Sequence, residues 1–238
     1  HQTKQALDRL KEFTEPDLIS YNSLLHAYSK EGNAKSAGEL LEWLEEDSHL
    51  EPDAVSYNSV LNALAKSNDN ESAIQAETML EKMEDMAKQG RTKVQPTSIS
   101  YTSVVNAWAN SNDPSPFQAV YRVHERMRNN ENNLGPDIRF FVGVIRALAK
   151  EQEQRQDALK MVLALFDEIT SSNLEDEFVF VAMFDACNQL ALDREEWLDL
   201  VSSMLRKCQE SGFLSRRVLA TLRRRANNQN VERVLGSH

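Results

Sequence analysis

Glycine, proline and cysteine are scarce in this chain, with seven, six and two residues among 238. So few glycines and prolines leave long helices uninterrupted. The two cysteines, Cys187 and Cys208, form no CxxC pair, and Cys187 falls on an apolar stripe, as a small core residue does. His1, His26, His49, His124 and His238 show no HExxH or similar spacing, which argues against a zinc site. There is no glycine-rich phosphate loop and no GxSxG elbow. No run approaches the roughly eighteen apolar residues of a membrane span, so no membrane partner is expected. No signal or transit-type leader stands at the start, and the chain opens on His1 rather than Met, so it is expected to be part of a longer protein. With no catalytic constellation and no cofactor motif, the expectation is a non-enzyme that carries no metal or cofactor.

What the sequence does have is internal repetition. Tyr21, Tyr57, Tyr101, Phe141 and Phe180 follow one another at intervals of 36, 44, 40 and 39 residues, and Pro16, Pro52, Pro96 and Pro136 advance by the first three of those steps. Such periods indicate a stacked array. From each aromatic, apolar residues recur at i+3, i+4 and i+7: Leu24, Leu25 and Tyr28 after Tyr21, and Val60, Leu61 and Leu64 after Tyr57. That spacing is one stripe of an α-helix. Ala27, Ala63, Ala107, Ala147 and Ala186 stand six residues after the aromatics, where a small side chain admits a crossing helix.

A second stripe follows in each unit, as in Ala37, Leu40, Leu41 and Leu44; the third unit puts His124 on it. Each unit is therefore a helical hairpin that needs neighbours to bury both faces. Polar runs at 30–33, 67–70, 111–116 and 151–156 join the two halves. Ala6, Leu10 and Phe13 read as the second half of a unit whose first half is missing. The expected division is 1–17 as a truncated repeat's second helix, then repeats at 18–53, 54–97, 98–137, 138–176 and 177–216. Residues 217–238 form a terminal helix and tail.

The segments PDLISYNSLL (16–25), PDAVSYNSVL (52–61) and PTSISYTSVV (96–105) resemble the opening of pentatricopeptide repeats. The tetratricopeptide opening, Trp…Leu-Gly…Tyr, is absent. The resemblance implies an all-α, right-handed α-solenoid of stacked helix-turn-helix repeats. Every unit here exceeds the usual family period, so second helices or connecting loops are expected to be extended. The implied function is sequence-selective binding of single-stranded RNA, in a mitochondrion or chloroplast, on transcript processing, stability, editing or translation, with protein partners of an RNA-processing complex.

The net charge of −10 opposes a nucleic-acid partner until its distribution is considered. The five first helices carry +3 in total and residues 216–238 carry +5, so the remainder holds −18. In the family, first helices line the concave surface, which would keep the acid away from a bound strand.

The resemblance also implies site residues. Base-edge pairs would be Asn22 with Asp53, Asn58 with Thr97, and Thr102 with Asp137; the first resembles a uridine reader, the third a guanosine reader, and the second is unassigned. Val142 with Asp176 and Val181 with Arg216 would not read sequence. Ile19, Val55 and Ile99 would wedge between bases, a place taken later by Arg139 and Phe178. Lys30, Lys66 and Lys150 would meet phosphate, where Asn110 and Gln189 carry no charge.

Plainer readings stand beside these. Asn22 and Asn58 could bond to local backbone. Asp17, Asp53 and Asp137 suit N-caps, and the lysines suit helix C-termini. The carboxylates read as a solvated outer face. Asn70-Glu71-Ser72 matches a glycosylation acceptor, a short pattern an intracellular array would not use. Arg216, Arg217, Arg223, Arg224 and Arg225 form a basic patch that either meets phosphate or caps the stack. A protein-interaction scaffold, with the fourth and fifth units as its contact surface, remains the alternative function, and a lost catalytic domain is a third.

Overall fold

A computed structural model describes residues 9, 16–46, 50–67, 69–130 and 134–223. Among them are eleven α-helices, one 3-10 turn and no strand. The helices are α1 (Leu18–Glu31), α2 (Ala34–Glu46), α3 (Ala54–Leu64), α4 (Asn70–Lys88), α5 (Ser98–Asn110), α6 (Phe117–Arg128), α7 (Ile138–Leu148), α8 (Arg155–Ser171), α9 (Glu177–Leu190), α10 (Arg194–Glu210) and α11 (Arg216–Arg223). The all-α class expected from the periodicity is the architecture among these residues, and helices pack as hairpins within each of two compact units. Ala6, Leu10, Phe13, Arg224 and Arg225 lie outside the described residues.

Two compact units divide the chain. One comprises residues 1–113 and 125–135, and the other residues 114–124 and 136–238. In the first, α1 packs on α2 and α3, α3 on α4 and α5, and α5 on α4. Its core holds Tyr21, Leu25, Leu44, Tyr57, Leu61, Leu80 and Tyr101, all nearly inaccessible to solvent. In the second, α9 is central and packs on α7, α8, α10 and α11, around Phe141, Ile145, Phe180 and Phe184.

Local sequence starts and stops these helices. Asp17, Asp53, Asp137 and Asp176 each accept a backbone N–H from the first turn of α1, α3, α7 and α9. Each such cap stabilises its helix by about 1 kcal/mol. Gly32 closes α1 at φ +69°, a conformation that costs a side chain-bearing residue strain. The longest interval between aromatics is also explained: α4 has 19 residues where α2 has 13, and the turn Thr92–Val94 follows it.

Three expectations change. Ala63, Ala107, Ala147 and Ala186 are buried, but Ala27 is exposed, so the crossing does not extend to α1 among the described residues. The carboxylates are not all solvated: Glu77 and Glu151 are buried. Glu77 accepts the Trp108 indole N–H at 3.2 Å. Glu151 accepts Ser115 Oγ and the backbone N–H groups of Phe117, Glu153 and Gln154. Finally, Ser215 occupies the N-cap place of α11, accepting from the N–H groups of Arg217 and Val218, so Arg216 is the first helical residue and not the counterpart of Asp53.

Candidate nucleic-acid interface

The second residue of α1, α3 and α5 is Ile19, Val55 and Ile99. All three are exposed, by 74%, 56% and 58%, although β-branched aliphatic side chains gain by burial. Three residues on, and so on the same helical face, stand Asn22, Asn58 and Thr102. α1 packs on α3 and α3 on α5, which aligns these pairs along one edge of the first unit.

Asn22 and Asn58 do not bond to local backbone; they reach the next repeat. Asn22 Nδ2 donates to Asp53 Oδ1 at 3.2 Å, and Asn22 Oδ1 accepts from Ser56 Oγ at 2.7 Å. Asn58 Nδ2 donates to Thr97 Oγ1 at 3.3 Å, and its Oδ1 accepts from Ser100 Oγ at 2.6 Å. The first two of the pairs inferred from resemblance are thus in contact. Asp53 caps α3 in the same act: Oδ1 also accepts the N–H groups of Val55 and Ser56. Among the described residues, Oδ2 of Asp53 takes no hydrogen bond. Thr97 is the capping-box residue of α5, with Ser100 accepting its N–H.

Thr102 and Asp137 belong to different units, and each stands by itself here. Thr102 Oγ1 is shielded from solvent and has no hydrogen-bond partner among the described residues. Asp137 is exposed and caps α7 by accepting from Phe140 N–H at 2.9 Å.

The lysines differ. Lys30 is exposed in the last turn of α1. Lys66 Nζ donates to the carbonyl oxygens of Ser29 at 2.5 Å and Lys30 at 3.4 Å, so it satisfies the carboxyl end of the preceding first helix. Asn110, at the same place one repeat later, does the same to Ala65 at 2.8 Å. Lys150, in the second unit, is exposed; partial burial of the ammonium and then Arg146 nearby lower its pKa.

In the second unit Arg139 is exposed and Phe178 is 52% exposed, with the Arg217 guanidinium 4.9 Å from the ring centre. That contact accounts for the aromatic's position. Val142 and Val181 are half-buried. Among the described residues, no group of three or more His, Cys, Asp or Glu is placed to hold a metal ion, and no helix is long and apolar enough to cross a membrane. Cys187 and Cys208 are buried, and burial pushes their thiols up to about 12 and about 11.

Sequence reasoning missed Ser56 and Ser100. The signal was the recurring Ser-Tyr at 20–21, 56–57 and 100–101, visible as a repeat but silent about the partner one repeat away.

These features define a helical-hairpin repeat protein with an exposed, alternating apolar and polar edge. A model of the PPR repeat family matches residues 16–66, and a model of the PPR repeat matches residues 55–86. The chain therefore carries pentatricopeptide repeats, matched over residues 16–86. No curated protein matches it at the level of sequence. Among solved structures it is similar to two crystal structures of the pentatricopeptide repeat protein PPR10 in complex with an 18-nt psaJ RNA element, one of them of a cysteine-to-serine variant. Each is 17% identical, with a TM-score of 0.42, over 99% of this chain and 37% of the other. The chain thus spans little more than a third of those proteins' length.

Proposed function

We propose that this chain binds single-stranded RNA along the edge formed by α1, α3 and α5. The observation that carries this reading is the row Ile19, Val55 and Ile99, apolar side chains left in solvent at matching places of successive helices, each beside a polar residue one turn on. Such alternation suits unstacked bases, whose faces are apolar and whose edges carry donors and acceptors. Asn22 keeps a second N–H beyond the one given to Asp53, and Asp53 keeps a free carboxylate oxygen, so the pair offers a donor beside an acceptor. Uridine, with a carbonyl oxygen beside N3–H, is the complement. Lys30 and Lys66 supply charge for phosphate in this unit, and Lys150 is the corresponding cation of the other.

Thr102 is the third reader of the series, with its hydroxyl turned to a base once one is bound. The family's usual setting extends the reading to processing, stability, editing or translation of organellar transcripts, with chemistry supplied by protein partners. Fluorescence anisotropy with labelled RNA tests the core of it. Single-stranded RNA should bind more tightly than the same sequence as duplex, and a uridine at one nucleotide should improve binding through Asn22 and Asp53. Equal affinity for duplex and single strand, or none for either, would defeat it.

A further inference from the structure

We infer that Ser100 is a positioning residue that sets base specificity, with Ser56 as its redundant counterpart one repeat earlier: each hydroxyl holds the carbonyl side of the preceding repeat's asparagine amide, which leaves the NH2 side to face a base, but only at Asn58 does the serine decide it. The inference rests on the RNA-binding reading above and deepens it.

A serine hydroxyl has one hydrogen to give. Ser56 Oγ accepts the Asp53 N–H at 3.2 Å, and of the two acceptors within reach of its own hydrogen, Asn22 Oδ1 at 2.7 Å is nearer than Asp53 Oδ1 at 3.2 Å. Ser100 Oγ accepts the Thr97 N–H at 2.9 Å and gives its hydrogen to Asn58 Oδ1 at 2.6 Å. Both serines are fully buried, so water does not compete for those hydrogens. An amide whose oxygen is held in this way cannot turn over without breaking the bond and burying an unpaired group.

The two sites are not equivalent. Asp53 is an acceptor-only carboxylate, so it demands the NH2 side of Asn22 whatever Ser56 does. Thr97 has a hydroxyl that donates or accepts, so it tolerates either face of Asn58. Ser100 alone therefore fixes the orientation of Asn58.

The rest of the chain fits a role in orienting an amide rather than in capping alone. The third helical residue of α7, α9 and α11 is Phe140, Val179 and Val218, and the corresponding fifth residues one repeat earlier are Thr102, Val142 and Val181, none of them an amide. Serine occupies the place after an asparagine and not after the others. Capping does not require it, because Asp137 and Asp176 cap α7 and α9 without a hydroxyl there. Ser20, in the first described helix, gives its hydrogen to Asp17.

The test uses the whole 238-residue chain and sets of single-stranded RNAs that differ only by U, C, A or G at one nucleotide, scanned along the strand. Ser100→Ala should reduce discrimination at the nucleotide facing Asn58 from about tenfold, the value of a well-formed base-edge contact, to near onefold. Ser56→Ala should keep most of the discrimination at the nucleotide facing Asn22, and Ser100→Thr should restore the wild-type ratio. Ser100→Asp keeps an acceptor for the Thr97 N–H but repels Asn58 Oδ1; it should turn the amide over and move the preference to another nucleotide. It serves equally if the alanine variant fails to fold. A Ser100→Ala chain that weakens all four RNAs by one factor, or a Ser100→Asp chain with the wild-type preference, would overturn the inference while leaving RNA binding intact. A wild-type chain that binds no single-stranded RNA would overturn both.

Discussion

Tyr57 donates its hydroxyl to Glu45 at 2.5 Å, from the first helix of one hairpin to the second helix of the hairpin before it. Lys82 holds the same carboxylate at 2.5 Å. One repeat on, Tyr101 donates to Glu84 at 2.8 Å, and Arg126 grips Glu84 at 2.8 Å. At Tyr57 and Tyr101 a tyrosine rather than a phenylalanine marks the repeat because an acceptor waits there. Phe141 and Phe180 take the place in the second unit, inside an apolar core.

Burial first, and then Glu45, push the Tyr57 phenol well above its ordinary value of 10.0. A raised folded pKa means that the phenol's contribution is complete below pH 10 and is lost only as the pH climbs through the folded value. Tyr57→Phe should cost the first unit about 1 kcal/mol at neutral pH, a modest figure because Glu45 is partly in water. Denaturant melts followed by fluorescence measure this, since Trp43 and Trp108 lie in the first unit and Trp197 in the second. The wild type should lose stability above pH 10 more steeply than the variant, and identical alkaline profiles would contradict the assignment.

Part of this organisation could be read from the residues and part could not, for a physical reason. The hairpins follow from apolar residues at i, i+3, i+4 and i+7 and from Pro-Asp at helix starts, signals that lie within a few residues of one another. The contacts Asn22–Ser56 and Asn58–Ser100 join residues 34 and 42 apart, and nothing local distinguishes a serine that caps its own helix from one that also holds a distant amide. Glu77 and Glu151 read as solvated charge, because burial depends on which helix packs over them. That Lys66, expected from resemblance to meet phosphate, also bonds Ser29 could not be read, because it depends on how closely α3 approaches the end of α1.

Lys30 and Lys66 should separate when tested. Each phosphate neutralised on a single strand contributes roughly 0.7 to the slope of log K against log salt. Lys30→Ala should lower that slope by about 0.7 and leave the melting temperature nearly unchanged, because Lys30 is exposed. Lys66→Ala should lower the slope and also destabilise the first unit by about 1 kcal/mol, because the Ser29 carbonyl keeps only the long contact from the Gly32 N–H at 3.4 Å. Titrations between 50 and 200 mM salt, roughly the range where such slopes are read, decide this. A Lys30→Ala slope equal to the wild type's would remove Lys30 from the interface.

Glu151 makes the second unit sensitive to acid. Burial acts to raise its pKa, but Ser115 and the backbone N–H groups of Gln154, Phe117 and Glu153 outweigh burial, and the net shift is downward from 4.5. A lowered folded pKa contributes stability above the unfolded value, and that stability drains away as the pH falls through the folded one. Glu151→Gln puts an NH2 group against a donor and should cost about 2 kcal/mol at pH 7. The loss should shrink below pH 4, where the wild type weakens too. Trp197 fluorescence reads the transition, and an equal cost at pH 7 and pH 3 would show that charge is not the cause.

Glycine-to-alanine changes at Gly32 and Gly38 should act in opposite directions. Gly32 sits at φ +69°, and a Cβ there would stand 3.3 Å from Lys66 Cβ. Alanine at that place pays the left-handed penalty of about 1–2 kcal/mol and presses on the residue whose ammonium closes α1. Gly38 lies within α2, and a Cβ there meets nothing within 4 Å. Alanine at that place removes backbone freedom from the unfolded chain and should stabilise the first unit by about 0.5–1 kcal/mol. Thermal melts of Gly32→Ala and Gly38→Ala side by side provide the measurement. A Gly32→Ala chain that melts no lower than the wild type would show that the left-handed closure of α1 carries no such strain, and a Gly38→Ala chain that melts lower would show that Gly38 is not open space.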